Sequence, residues 1–162
     1  YVPQNKTSYE VNIRYNQPRP EMQKLVRFFN ESAEIRFLTP FRDAIYFVNK
    51  LHKEHGYVFH CITSLSDSIN AALLREKNLQ DLFGKTVFEK IVCLDCGADK
   101  DYVLSEYIDT GCYWIEDKVE NAEVGAQFGL NSILIAHDYN TGHSGKVLRM
   151  SNWKEIYNHI TQ

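Results

Sequence analysis

The chain has no apolar run approaching the ~18–20 residues that a membrane-spanning helix needs. No signal-peptide pattern is visible, and the expected compartment is the cytoplasm. Excess positive charge is missing too. Eighteen Lys and Arg stand against 21 Asp and Glu, a net charge of -3, and the pI is near 6.1. This leaves no broad basic surface to follow a phosphate backbone, so neither nucleic acid nor a membrane is an expected partner. Proline is scarce, at four residues, so few elements are forced to stop. Aspartate is absent from residues 1–42 altogether. No carboxylate nucleophile of that type can come from that stretch.

Cysteine is also sparse. Cys61, Cys93, Cys96 and Cys112 each fall in or beside an apolar run. In a reducing compartment they read first as free thiols, with no disulfide expected. Cys93 and Cys96 do have CxxC spacing. A redox pair or half of a zinc site therefore stay as alternatives.

What is present is enough chain for a real core. At 162 residues with 44% hydrophobic and 24% charged content, an ordinary globular domain is expected. Residues 1–19 are polar and interrupted by Asn and Pro, with 9–15 alternating as a short strand or extended arm. Residues 20–30 predict a helix opened by Pro20, with Met22, Leu25, Val26 and Phe29 at helical spacing. Thr39-Pro40 predicts a capped helix start, followed by Phe41, Ala44, Ile45, Val48 and Leu51 on one face and closed by Gly56.

An α/β rhythm then sets in. Apolar runs at 57–62, 88–95, 112–115 and 132–136 predict strands. Helices are predicted at 67–78 (Ile69, Ala72 and Leu73 inward), 98–107, 119–128 and 152–160, with Gly129 just past the third. Strands alternating with helices predict a doubly wound parallel sheet of Rossmann-like topology with right-handed crossovers. The expected division is an N-terminal arm and small helical cap over 1–38 and an α/β core over 39–162.

In such a sheet, chemistry gathers where strands end. The first predicted strand runs into Thr63 and Ser64, a hydroxyl pair suited to a phosphate oxygen, or to an ordinary turn. After the second comes Lys100 at a helix start, either a fixed positive charge over the crevice or a surface lysine. The third delivers Glu116 and Asp117 side by side. Adjacent carboxylates repel one another and suit a hard cation such as Mg²⁺, which takes oxygen ligands; the alternative is a solvated acidic turn.

The order Cys61-Ile62-Thr63-Ser64, Lys100, Trp114-Ile115-Glu116-Asp117 resembles motifs two to four of the haloacid dehalogenase-like (HAD) hydrolase superfamily. Residues 121–135 also look like that family's following helix and last core strand. The resemblance covers residues 35–150 and is nearest to nucleotidase-type and phage-encoded phosphatases. It implies Mg²⁺-dependent hydrolysis of a phosphomonoester, with a 5'-nucleotide as one candidate substrate. By the same resemblance Lys100 is catalytic and contacts phosphate. Thr63 and Ser64 bind phosphate oxygens. Asp117 is a metal ligand, and Glu116 holds a metal-bound water or orients Lys100. Residues 15–39 are implied to lie near the site as the remains of a cap. There Tyr15, Phe28, Phe29 and Phe37 would stack on a base or belong to the core.

The departure is the family's first motif, Asp-x-Asp, which supplies nucleophile and general acid and cannot lie in residues 1–42. The chain starts at Tyr1 rather than Met, so the expectation is a truncated and inactive hydrolase. The alternative is a non-catalytic HAD-like binding or interaction domain, whose exposed strand edge a homodimer would cover.

Overall fold

Seven helices and five strands form along the chain. A computed structural model describes all 162 residues. In chain order they are α1 (Val11–Tyr15), α2 (Arg19–Glu31), a 3-10 segment (Ala33–Phe37), α3 (Ala44–His55), β1 (Phe59–Ser64), α4 (Ile69–Phe83) and β2 (Phe88–Leu94). Then follow α5 (Asp101–Leu104), β3 (Tyr113–Glu116), α6 (Val119–Gln127), β4 (Asn131–Ile135), β5 (Leu148–Met150) and α7 (Trp153–Ile160). The protein is mixed α/β and every strand pair is parallel. The strands form a two-stranded sheet, β1-β2, and a three-stranded sheet, β3-β4-β5. No helix is long and apolar enough to cross a membrane.

The chain groups into two compact units. One comprises residues 25–98 and 152–162, the other residues 1–24 and 99–151. In the first, β1 and β2 lie in register with Thr63 opposite Cys93 and Ser64 opposite Leu94. Ile35, Leu65 and Ala71 are buried together, with Leu38, Leu74 and Cys93 packed against them. Buried Asn78 fastens the 3-10 segment to α4. Its amide donates to the carbonyls of Arg36 (2.8 Å) and Leu38 (2.9 Å), and its oxygen accepts from Arg75 (2.6 Å). Gly56 ends α3 in the left-handed region at φ 71°, its N–H returning to the carbonyls of His52 and Leu51.

In the second unit, β4 lies between β3 and β5. Glu116 pairs with Leu134, and Ile135 with Met150. Ala122, Leu134 and Val147 are buried together, with Val119 against them. α6 sits close on β3 because position 125 is glycine. A Cβ there would collide with the Trp114 ring. The ring is fixed by its Nε1–H, which donates to the Asn121 carbonyl at 3.0 Å.

Several expectations change. Residues 9–15 are not a strand: 11–15 form α1, closed by Asn16 in the left-handed region at φ 51°. Asparagine tolerates that conformation and so ends a short helix there. Thr39-Pro40 does not open α3, which starts four residues later behind Asp43. Ile69 and Leu73 do not face inward; they are 79% and 55% exposed. Residues 98–107 hold only a one-turn α5 and a 3-10 turn at Ser105–Tyr107. The short β5 has no counterpart among the predicted strands. Phe28 and Phe37 are 74% and 69% exposed, so they are not core.

Candidate functional site

Period-two alternation along β3 builds the acidic site. Trp114 and Glu116 share the buried side of the strand, and both are nearly inaccessible. Lys100, just ahead of α5, is buried against them. Its Nζ lies 2.6 Å from Glu116 Oε2 and 5.4 Å from the centre of the Trp114 ring. Taking an ammonium and a carboxylate out of water is costly, and the close pairing and the aromatic face help to offset it. The other Glu116 oxygen accepts from the Lys118 N–H at 3.3 Å.

Asp117 lies one residue past the end of β3. Its Oδ2 accepts a short hydrogen bond from the Tyr139 hydroxyl. Its backbone carbonyl accepts from the Asn140 amide at 2.9 Å, and the same amide donates to the Ile135 carbonyl at 2.9 Å. The Asn140 oxygen accepts from the His137 N–H (2.9 Å) and Arg149 Nε (3.0 Å). Buried Asn140 thereby fills all four positions of its amide and ties the ends of β3, β4 and β5 into one frame. His137 stacks on Tyr139, ring centres 4.9 Å apart and planes within 7°.

Tyr9 reaches the same place from the N-terminal segment. Its ring meets Tyr139 edge to face at 5.3 Å, and the Lys118 ammonium lies 5.7 Å from its centre.

The charges divide unequally. Burial works against ionisation of Asp117. Hydrogen bonds with Glu116 and Tyr139, then the attraction of His137 and Lys100, outweigh it and hold Asp117 below the usual carboxylate range. Burial pushes Glu116 up, against the pull of Lys100, and the neighbouring Asp117 adds to the rise. The two acids titrate as a pair, with Asp117 the one held ionised. Burial and the hydrogen bond to Asp117 raise the Tyr139 phenol, which stays a donor. Tyr9, though 47% exposed, is pushed up to about 12 by burial of its phenol and by Asp117 and Glu116.

The structure thus brings Lys100, Glu116 and Asp117 together. Thr63 and Ser64 lie in the other unit, at the C-terminal end of β1. The Ser64 hydroxyl is committed to the Ala98 carbonyl at 2.8 Å. Beyond the strand, Ser66 is fully buried and donates to Glu31 at 2.8 Å. Arg27 grips Asp95 at 2.7 and 3.0 Å, holding α2 to the loop after β2.

All four thiols are free. Cys93 lies inside β2 and burial raises its thiol. Cys96 sits in the following turn, where Asn30 approaches its Sγ at 3.9 Å. The CxxC pair therefore straddles a strand end instead of opening a helix, the position a redox pair uses.

No group of three or more His, Cys, Asp or Glu side chains is placed to hold a metal ion. For Mg²⁺ the donor set fits in part. Asp117 offers an ionised hard oxygen, whereas Glu116 is committed to Lys100. An ion that keeps most of its waters suits such a site.

Tyr9, His137, Tyr139, Asn140 and Arg149 join the site without being expected from the sequence. Their signal was faint: a polar His-Asp-Tyr-Asn run directly after the last predicted strand.

No protein-family model matches the chain. It is similar to the uncharacterized 32.4 kDa protein in the Gp30-rIII intergenic region of Enterobacteria phage T4, 40% identical over 70 residues. That match takes in 43% of this chain and spans 24% of the phage protein's length.

Proposed function

We propose that the chain carries the phosphate- and cation-handling part of a HAD-like phosphomonoester hydrolase site, in a doubly wound core, with Lys100 and Asp117 at its centre. One observation carries this reading: a buried lysine paired with a buried glutamate, beside an ionised aspartate, at the C-terminal end of a parallel strand. Such ends are where α/β sheets bind ligands.

The roles follow from the chemistry of each group. Lys100 presents a fixed positive charge to the phosphate and to a nucleophilic carboxylate. Thr63 donates to a phosphate oxygen, and Ser64 contributes its backbone. Asp117 would hold Mg²⁺ directly and Glu116 through water; the ion's contribution is to neutralise charge on the phosphate. Tyr139 and Asn140 orient Asp117. The substrate class is a small phosphorylated molecule, with a 5'-nucleotide as the leading candidate.

The test is NMR titration of the intact chain with inorganic phosphate, with and without Mg²⁺. Shifts at Lys100 and Asp117 that are lost in Asp117→Asn are expected. Shifts confined to other surfaces would sink the reading.

A second reading is a non-catalytic interaction domain. β1 pairs only with β2, and β3 only with β4, so each sheet keeps an unpaired edge of the kind that recruits another strand. A homodimer is the simplest way to cover one. Light scattering that finds only monomer across a wide concentration range would remove the dimer form.

A further inference from the structure

We propose that the N-terminal segment, through Tyr9, is a removable strap over Asp117, and that an oxygen-seeking divalent cation must displace it to reach that carboxylate. The strap itself stands on geometry. The choice of ligand rests on the cation reading of Asp117 given above.

The segment is folded on itself. The amides of Gln4 and Asn5 donate to the Arg14 carbonyl at 2.7 and 3.1 Å. Thr7 donates to the Asn5 side chain from both its N–H (2.9 Å) and its hydroxyl (2.8 Å). Tyr1 packs edge-on against Tyr15. These bonds tie residues 1–15 into one small folded piece. None of the residues of α1 is buried, and nearly all of residues 1–10 are exposed. So little burial makes opening easy.

What fastens this piece at the acidic site is Tyr9. One of its two ring contacts is Tyr139, the residue hydrogen-bonded to the Asp117 carboxylate. The other is Lys118, the residue directly after Asp117. The ring therefore lies against the two residues that flank the Asp117 carboxylate. Both contacts are weak, so closure is favoured only modestly. A ligand that needs the open form binds with an apparent affinity reduced by the open fraction.

The experiment compares the intact chain with Tyr9→Phe, Tyr9→Ala and Asp117→Asn. Hydrogen–deuterium exchange reads cover at residues 116–120, with β4 as an internal control. Mn²⁺ binding, followed by water-proton relaxation, reads access. Tyr9→Ala should speed exchange at 116–120 while leaving β4 unchanged. It should also tighten Mn²⁺ binding by about fivefold or more. Tyr9→Phe keeps the ring and should match the unmodified chain. Unchanged exchange in Tyr9→Ala overturns the strap. Faster exchange with no gain in Mn²⁺ affinity overturns the gating, provided Asp117→Asn abolishes binding. If Asp117→Asn leaves Mn²⁺ binding intact while Tyr9→Ala still speeds exchange, the cation reading falls and the strap remains.

Discussion

Lys100 and Glu116 show how one buried pair sets the behaviour of a site. Together they satisfy each other at 2.6 Å. Remove the ammonium, and Glu116 is left in a buried place that already pushes its carboxyl up. Lys100→Met should therefore destabilise the protein by about 3 kcal/mol near neutral pH. The pH dependence gives the sharper check. An acid whose folded pKa exceeds its unfolded value binds more protons in the folded state, so its stability contribution is lost as pH rises. Urea midpoints of Lys100→Met should fall from pH 5 to pH 8 more steeply than those of the unmodified chain. Asp117 works in the opposite sense. Its lowered pKa gives stability that is present above 3.8 and lost as pH falls through the folded value. A Lys100→Met midpoint flat across pH 5–8 would show that Glu116 is not held in a desolvating site. The Glu-Asp doublet and Lys100 were legible in the sequence because strand ends concentrate charge. Asn140 was not, since an asparagine after a strand reads as a turn until its four partners are seen.

At the scale of elements, apolar content located most strands and helices, while their boundaries and buried faces depended on contacts far away in sequence. Asp43 is the clearest case. It stands where a cap for α3 would be, yet makes no side-chain bond to that helix. Its carboxylate instead accepts from the backbone N–H groups of Trp153 (3.1 Å) and Lys154 (3.0 Å). Asn152 meanwhile accepts from the Glu155 N–H at 2.9 Å. Two side chains thus satisfy the open amides of α7, and a negative charge faces the positive end of its dipole. No local pattern links residue 43 to residue 153, which is why Thr39-Pro40 looked like the better helix start. Asp43→Ala should cost about 1–2 kcal/mol. The loss should show as faster amide exchange in the first turn of α7, with β1 and β2 unchanged. Equal exchange in α7 before and after the substitution would mean that the cap carries no energy. β5 escaped notice for a simpler reason: three residues are too few to display a period.

For the molecule as a whole, alternating strands and helices announced a parallel α/β protein, and they did so because buried parallel strands read as short apolar runs between amphipathic helices. They did not announce two sheets. Apolar runs say that strands exist, whereas the number of sheets depends on which edges pair. The same limit governs chemistry. Thr63 and Ser64 end β1 in one unit, and Lys100, Glu116 and Asp117 gather in the other. Residues 1–42 contain no aspartate, and Asp43, the first one, is occupied at α7. Asp43 is thus the one aspartate ahead of Thr63, and these residues supply no Asp-x-Asp pair there for a covalent route through an aspartyl phosphate. The 162 residues should turn over neither p-nitrophenyl phosphate nor nucleoside monophosphates in excess Mg²⁺ above the rate without protein. Losing nucleophilic catalysis removes many orders of magnitude of rate, far more than the remaining positive charge and hydroxyls can recover. Turnover that Asp117→Asn abolishes would place a nucleophile within this chain after all. Turnover indifferent to both Asp117→Asn and Lys100→Met would point to a contaminant or to a different site.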